Sequence, residues 1–516
     1  MPASRSNALL NELRRRGVRL WVEDGQLRYF APPGAFTARL KAEVGSLREE
    51  VLRQLSMRPT STPQPPVVEG AVAVWAPSEM QASLVRDARP NVAAAARWRG
   101  RVDQNAFDIA LNRVMQRHAV LRTRYLHEEA GVPWAVTESA VSVPTRTTDL
   151  RSFEPAARES RAMQIAATAI GESFAMDASP LLRAEILILA EDDAWFVFVV
   201  HHSLFDAPSR GILIRDFLSF YAARLENRDV HLDPLPLQYA DFAREQRALQ
   251  TSRSGLRTLE YWRNTLAGAS EIFRLPYDRN PAAAGTPKAV RGGLSPHVLK
   301  AMRHVARQCH CTLFLAMAAV FALLLVRWSG RSDVAFWVLD TGRGRAELQS
   351  MIGNFINFWP LRVDLGADPR FDEALRKMLH KYTEALPHAH VTRSQLRPEL
   401  DRIRNGKFIP GICLNFIPCD SAYRAMGTAS GPYAAAAVDG ATPGAFIALS
   451  VTMVEAEEDL HWFVEYSGAL FEARTIQRAS AALAYACAVL TEKSAAPMGE
   501  LMPDGIAARR CEPLLD

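Results

Sequence analysis

The sequence predicts a mixed fold, α/β (α+β), with two lobes of similar size behind a small helix–hairpin–helix module. Three observations lead there. Continuous β-rich apolar runs alternate with segments of helical spacing throughout the body. A proline-rich stretch, Arg58 to Pro66, separates the first sixty residues from the rest. A length of 516 residues exceeds one ordinary core. The expected divisions are a module at 1–57, a linker at 58–67, a first lobe at 68–270 and a second at 271–516.

The module is read element by element. Asn7 to Arg16 has amphipathic helical spacing, and Gly17 can end it. Val18–Val22 and Gln26–Phe30 alternate as strands around the turn residues Glu23-Asp24-Gly25. Phe36 to Leu55 reads as one helix. A unit this small holds little core, which suggests that it exists to bind something. Arg14, Arg15, Arg16, Arg19, Arg28 and Lys41 would give it a basic surface.

In the body, Trp195 to Val200 reads as a strand buried on both faces, and Pro208 to Leu225 as a helix. Ser295-Pro296 begins another helix with a capping residue and a first-turn proline. Val334–Leu339, Ile412–Ile417 and Leu449–Val454 read as strands. Thr312 to Val326 is apolar all round but shorter than the roughly 20 residues of a membrane span. A buried core helix is expected instead.

Composition excludes several classes. Apolar residues make up 48% and charged residues 23%, the balance of a globular protein outside the membrane. The net charge of +5 comes with no dense basic block interleaved with aromatics, which argues against nucleic acid. Met1 to Gly17 has no secretory-signal core. Six cysteines read as reduced thiols, so a cytoplasmic location is expected. Cys309-His310-Cys311 has no second ligand pair at zinc spacing, so no metal is expected.

The chemistry points to one segment. The strand at 195–200 runs into His201-His202-Ser203-Leu204-Phe205-Asp206. Strand ends in α/β proteins open into ligand crevices, and histidine suits proton transfer near neutral pH. Asp206 could orient an imidazole, or pin the loop by pairing with an arginine elsewhere. The bland alternative is a pair of core histidines beside a capping aspartate.

This segment resembles the HHxxxDG signature of the condensation domains of non-ribosomal peptide synthetases, and other blocks follow in that family's order. Ser78-Glu-Met-Gln81 resembles the opening block, and Arg117-His118-Ala-Val-Leu121-Arg122-Thr123 is close to RHxxLRT. Tyr239-Ala-Asp241-Phe242-Ala243 with Tyr261-Trp262 resembles YxDFA…YW. Gly342-Arg343 and Ile352-Gly353-Asn354-Phe355-Ile356-Asn357 resemble GR…IGxFxN, and Leu414-Asn415-Phe416 resembles a late strand. The likeness covers about 68–500.

The resemblance implies two chloramphenicol-acetyltransferase-like lobes in a V around a central tunnel. It implies an acyltransferase without an intrinsic cofactor, fed by an upstream acyl or peptidyl carrier protein that bears the substrate on phosphopantetheine. His202 would be the general base or would position the nucleophile, with His201 packing beside it. Asp206 would pair with Arg343, and Asn415 would approach from the other lobe. His118 and Arg122 would hold the first lobe together, and Gly353 and Asn357 would shape a crossover. Ala207 departs from the family's glycine, which would give either room for the thioester arm or a positive φ.

The module resembles β-hairpin docking domains, which implies that Arg16, Arg19 and Arg28 meet an acidic C-terminal short linear motif of the upstream protein. The absence of an adenylation or carrier domain before residue 516 suggests a free-standing enzyme. Such an enzyme would release its chain as an ester or amide onto a soluble hydroxy or amino acid. A carrier-bound amine acceptor, an acyl-CoA donor and a recruiting role without chemistry are the alternatives.

Overall fold

The computed structural model describes residues 9, 12–13, 18–23, 26–30, 36–57, 65–86, 91–126, 133–268, 275–279, 287–366, 368–403, 411–418 and 447–492. The chain divides into two compact units, Met1–Val67 and Val68–Asp516.

In the first unit, β1 (Arg19–Glu23) and β2 (Gln26–Phe30) pair antiparallel, with Glu23 opposite Gln26. They are followed by α1 (Ala38–Ser46) and α2 (Arg48–Met57). The single helix expected at 36–55 is thus two, because Leu47 leaves helical geometry (φ −109°, ψ 20°) just after the weak helix formers Gly45 and Ser46. Leu9 and Leu13, four residues apart, bury with Val18, Leu40 and Val44 in a small core of its own. Most of the linker lies outside the described residues.

The second unit begins with β3 (Ala71–Trp75), α3 (Glu79–Arg86), β4 (Asn91–Arg99), α4 (Gln104–Arg117), β5 (Thr123–Leu126), β6 (Trp134–Glu138) and β7 (Thr145–Asp149). It continues with α5 (Pro155–Gly171), β8 (Leu182–Ala190), β9 (Asp193–His201), α6 (Ala207–Leu225), α7 (Tyr239–Thr251) and α8 (Arg253–Thr265). β4, β9, β8 and β7 form one sheet in that order, and β3, β6 and β5 a second. Every residue of β9 is buried, and its two faces meet different layers. Phe196, Phe198 and Val200 join the core with α4 and α6, whereas Trp195, Val197 and Val199 join Ala162, Ala166 and Ala169 of α5. Alternate side chains of a strand point to opposite faces, so a strand between two helical layers must be apolar throughout.

The later half comprises β10 (Pro287–Leu294), α9 (Pro296–Gln308), α10 (Leu313–Ser329), β11 (Asp333–Asp340), β12 (Asn357–Asp364) and α11 (Phe371–Ala385). It ends with α12 (Arg393–Ile403), β13 (Gly411–Ile417), β14 (Ile447–Glu455), β15 (Leu460–Ser467) and α13 (Ala473–Glu492). Its strands form one six-stranded sheet, β10-β15-β14-β13-β11-β12. The apolar α10 is buried from Leu315 to Val326. Thr312 caps its start and left-handed Gly330 (φ 69°) its end. Among the described residues no single helix is long and apolar enough to cross a membrane.

The halves of the body interlock. Leu259 and Trp262 of α8 pack in the core of the six-stranded sheet. In return Leu348, Met351, Ile352 and Phe355, between β11 and β12, pack into the core around β9. This second exchange builds the site.

Candidate active site

β9 delivers His201 and His202 at its end, where the chain turns through a short 3-10 segment, His202–Leu204, into α6. Phe205 N–H donates to the His202 carbonyl at 3.3 Å. The His202 ring returns the contact, with Nδ1 2.8 Å from the Phe205 carbonyl oxygen. A carbonyl only accepts, so the neutral ring carries its proton on Nδ1 and its lone pair on Nε2. The side chain of His202 is half-buried.

His201 is buried and lies on the other side of the turn. Ser203 N–H donates to its Nδ1 at 3.2 Å, and Ser203 Oγ lies 2.8 Å from the same nitrogen. Burial, helped by His202, pushes its pKa down to about 4. A neutral imidazole so enclosed fits a packing role.

Asp206 fixes the turn. Its Oδ1 accepts from Ser209 N–H (2.9 Å) and Ser209 Oγ (2.6 Å), which caps α6. The same carboxylate meets Arg343 Nη2 at 2.9 and 3.1 Å, and accepts from Phe355 N–H at 3.3 Å. Arg343 also donates to the carbonyls of Leu348 and Met351 and stacks over Phe355, 4.3 Å from the ring centre. A buried ion pair holds only when its remaining donors are satisfied, and this one is anchored on both sides. Ala207 is the first residue of α6 and adopts no positive φ. Of the two uses inferred for a glycine there, the positive φ does not apply to this chain.

The segment from Gly342 to Phe355 lies close against the turn. A Cβ on Gly342 would come 2.1 Å from the Phe355 carbonyl oxygen, and one on Gly353 would come 2.1 Å from the Tyr239 ring. His118 reaches the same segment. Its Nδ1 accepts from Ile352 N–H at 3.3 Å and its Nε2 faces Asp216 Oδ2 at 2.9 Å. Burial lowers its pKa despite that carboxylate. Arg122 donates to the carbonyls of Met115, Glu138 and Ser139. Asn357 donates from Nδ2 to the carbonyls of Ala389 and Val391, each at 2.7 Å.

Two participants escaped sequence reasoning. Ser209 joins Asp206, Arg343 and Gly353, and Asn354 donates from Nδ2 to the His202 carbonyl at 2.7 Å. The serine one turn into a capped helix gave a signal that went unused. Asn354 stood at a variable position of its block, and nothing local marked it. Asn415 lies in the other sheet, half-buried on β13 opposite Thr452 of β14, and the network above is built without it. Arg16 lies outside the described residues, as do the side chains of Arg19 and Arg28 on β1 and β2. Among the described residues no group of three or more histidine, cysteine, aspartate or glutamate side chains could hold a metal ion.

The comparisons assign the class, a family of peptide- and ester-bond-forming acyltransferases. The condensation domain family matches residues 86–505, and the chain belongs to it. Residues 7–56 match the TubC N-terminal docking domain. The chain is 33% identical over 397 residues, 76% of its length, to phosphinothricin tripeptide synthetase PhsC of Streptomyces viridochromogenes. It is 28% identical over 460 residues, 84% of its length, to chondramide synthase cmdD of Chondromyces crocatus. It spans only 36% and 11% of those two proteins. The first condensation domain of the calcium-dependent antibiotic synthetase has the same fold, with a TM-score of 0.66 at 18% identity over 84% of this chain and 99% of that one. Such domains carry no intrinsic cofactor and act on substrates held by phosphopantetheine carriers. In synthetases, docking and condensation domains imply carrier-protein partners.

Proposed function

We propose that this chain moves an acyl group from a carrier-protein thioester to a nucleophile, with His202 as the general base. One observation supports this most. The Nδ1 proton of His202 is committed to the Phe205 carbonyl 2.8 Å away, so the neutral ring offers a lone pair at Nε2. As the nucleophile attacks the thioester carbon, Nε2 takes its proton. The tetrahedral adduct then expels the phosphopantetheine thiolate, which takes that proton back from Nε2, and the ester or amide remains. General base catalysis contributes roughly 10²–10⁴-fold. Asp206 and Arg343 hold the turn and stay out of the proton path, and Asn415 would approach from the other lobe. A soluble hydroxy or amino acid would take the chain away as an ester or amide.

The first unit is assigned to docking. Among the described residues this sheet has two strands, and a sheet edge suits strand addition by a C-terminal linear motif, which Arg16, Arg19 and Arg28 would steer if acidic. The setting this implies is the cytoplasm, and the free thiols Cys309, Cys311, Cys413 and Cys487 fit it.

The test is intact-mass spectrometry of an octanoyl-loaded upstream carrier, mixed with the chain and a panel of soluble amines and hydroxy acids. Unloading that needs both an acceptor and His202 supports the proposal, and the productive acceptor names the bond. A carrier that binds yet stays loaded with every soluble acceptor, but unloads onto an aminoacyl carrier, moves the acceptor onto a carrier. No unloading in either case favours a recruiting role.

A further inference from the structure

Asn354 is a buried side chain with no part in the scheme above. Its main chain is fixed from three directions. Its carbonyl accepts from the Tyr239 hydroxyl, which also meets Ser78 Oγ at 2.9 Å. On one side Gly353 N–H donates to Ser209 Oγ at 3.0 Å, and on the other Phe355 N–H donates to Asp206. From this fixed base Nδ2 reaches the His202 carbonyl at 2.7 Å. That acceptor sets the orientation of the amide. Oδ1 is then buried and has no hydrogen-bond partner among the described residues.

A buried acceptor without a partner costs stability, and a leucine with the same branched skeleton would avoid that cost. Asn354 is therefore a poor choice for packing, and the one bond it makes is the feature to explain. That bond ends on the carbonyl that closes the His202–Phe205 turn, the same turn that fixes the Nδ1 proton of His202. We infer that Asn354 is a positioning residue for His202: it pins the His202 carbonyl and so holds the imidazole in its Nδ1-protonated tautomer. The inference rests on His202 being the base, and its test separates the two ideas.

The full chain, labelled with ¹⁵N-histidine, is compared at pH 8 as wild type, Asn354→Leu and Asn354→Asp, with His202→Ala to assign the His202 signals. The wild type should show a single Nδ1–H tautomer at His202. Asn354→Leu should melt no lower than wild type, show a tautomer mixture, and lose on the order of tenfold to a hundredfold in kcat at unchanged KM. In Asn354→Asp the carboxylate cannot donate. Burial raises its pKa, so lowering the pH should restore a donor and the wild-type tautomer. An unchanged His202 spectrum in both variants at every pH overturns the inference. If Asn354→Leu fails to fold, the pH response of Asn354→Asp decides. Full turnover by His202→Ala would sink the base assignment alone, since the tautomer readout needs no activity.

Discussion

Arg343 Nη2 lies 2.9 Å from Asp206 Oδ1, with both side chains buried and 137 residues apart in the chain. The pair ties the segment between β11 and β12 to the turn that carries His202. It is a clasp between the two halves of the body. Removing one partner leaves the other charged, buried and alone. Asp206→Ala should lower the unfolding free energy by about 3–5 kcal/mol, read as a fall in the urea midpoint. Arg343→Lys should also destabilise, because an ammonium cannot reproduce the forked contacts to two carbonyls and a carboxylate. A midpoint unchanged in both variants would remove the clasp from the account.

Acid should weaken the fold through its buried histidines. His201 has its pKa pushed down to about 4 by burial and by His202, whereas an unfolded histidine titrates near 6.5. Between those values the unfolded chain binds more protons, so stability rises with pH. The contribution is complete above 6.5 and is lost as the pH falls toward 4. It amounts to about 3 kcal/mol for His201. His118, also lowered by burial, acts in the same direction. Denaturation curves for His201→Gln across this window should show a shallower pH slope than wild type. An identical slope would contradict the assignment.

Gly353→Ala should be poorly tolerated. The added methyl would meet the Tyr239 ring at 2.1 Å, and Tyr239 is wholly buried and hydrogen-bonded on both sides. Overpacking of this kind costs about 1–3 kcal/mol. Tyr239→Leu in the same chain should recover part of the loss in a thermal melt. No recovery would show that the crowding lies elsewhere.

Charge reversal at Arg16, Arg19 and Arg28 together should weaken binding of the upstream carrier protein and flatten its salt dependence. Turnover at saturating carrier should stay the same. Calorimetric titration at two salt concentrations would show this. Equal affinity for wild type and the triple variant would take these arginines out of the docking surface.

The sequence made the elements legible wherever burial imposes a period. β9, α10 and the capped start of α9 follow from apolar continuity and local capping. The His202 segment was visible as a motif, and the Asp206–Arg343 pair came only through resemblance, since nothing local links positions 137 residues apart. The break at Leu47 was missed because apolar spacing carries through it, while Gly45 and Ser46 weaken the helix there. Asn354 was missed because its partner is a main-chain carbonyl, which no residue pattern displays.

If His202 takes the proton of the attacking nucleophile, its removal must slow the transfer step itself. Single-turnover transfer from a loaded carrier to the productive acceptor is followed by quench and mass spectrometry for wild type, His202→Ala and His201→Gln. His202→Ala should lose roughly 10²–10⁴-fold with carrier binding intact, and His201→Gln far less. Transfer by His202→Ala within a few-fold of wild type would contradict it.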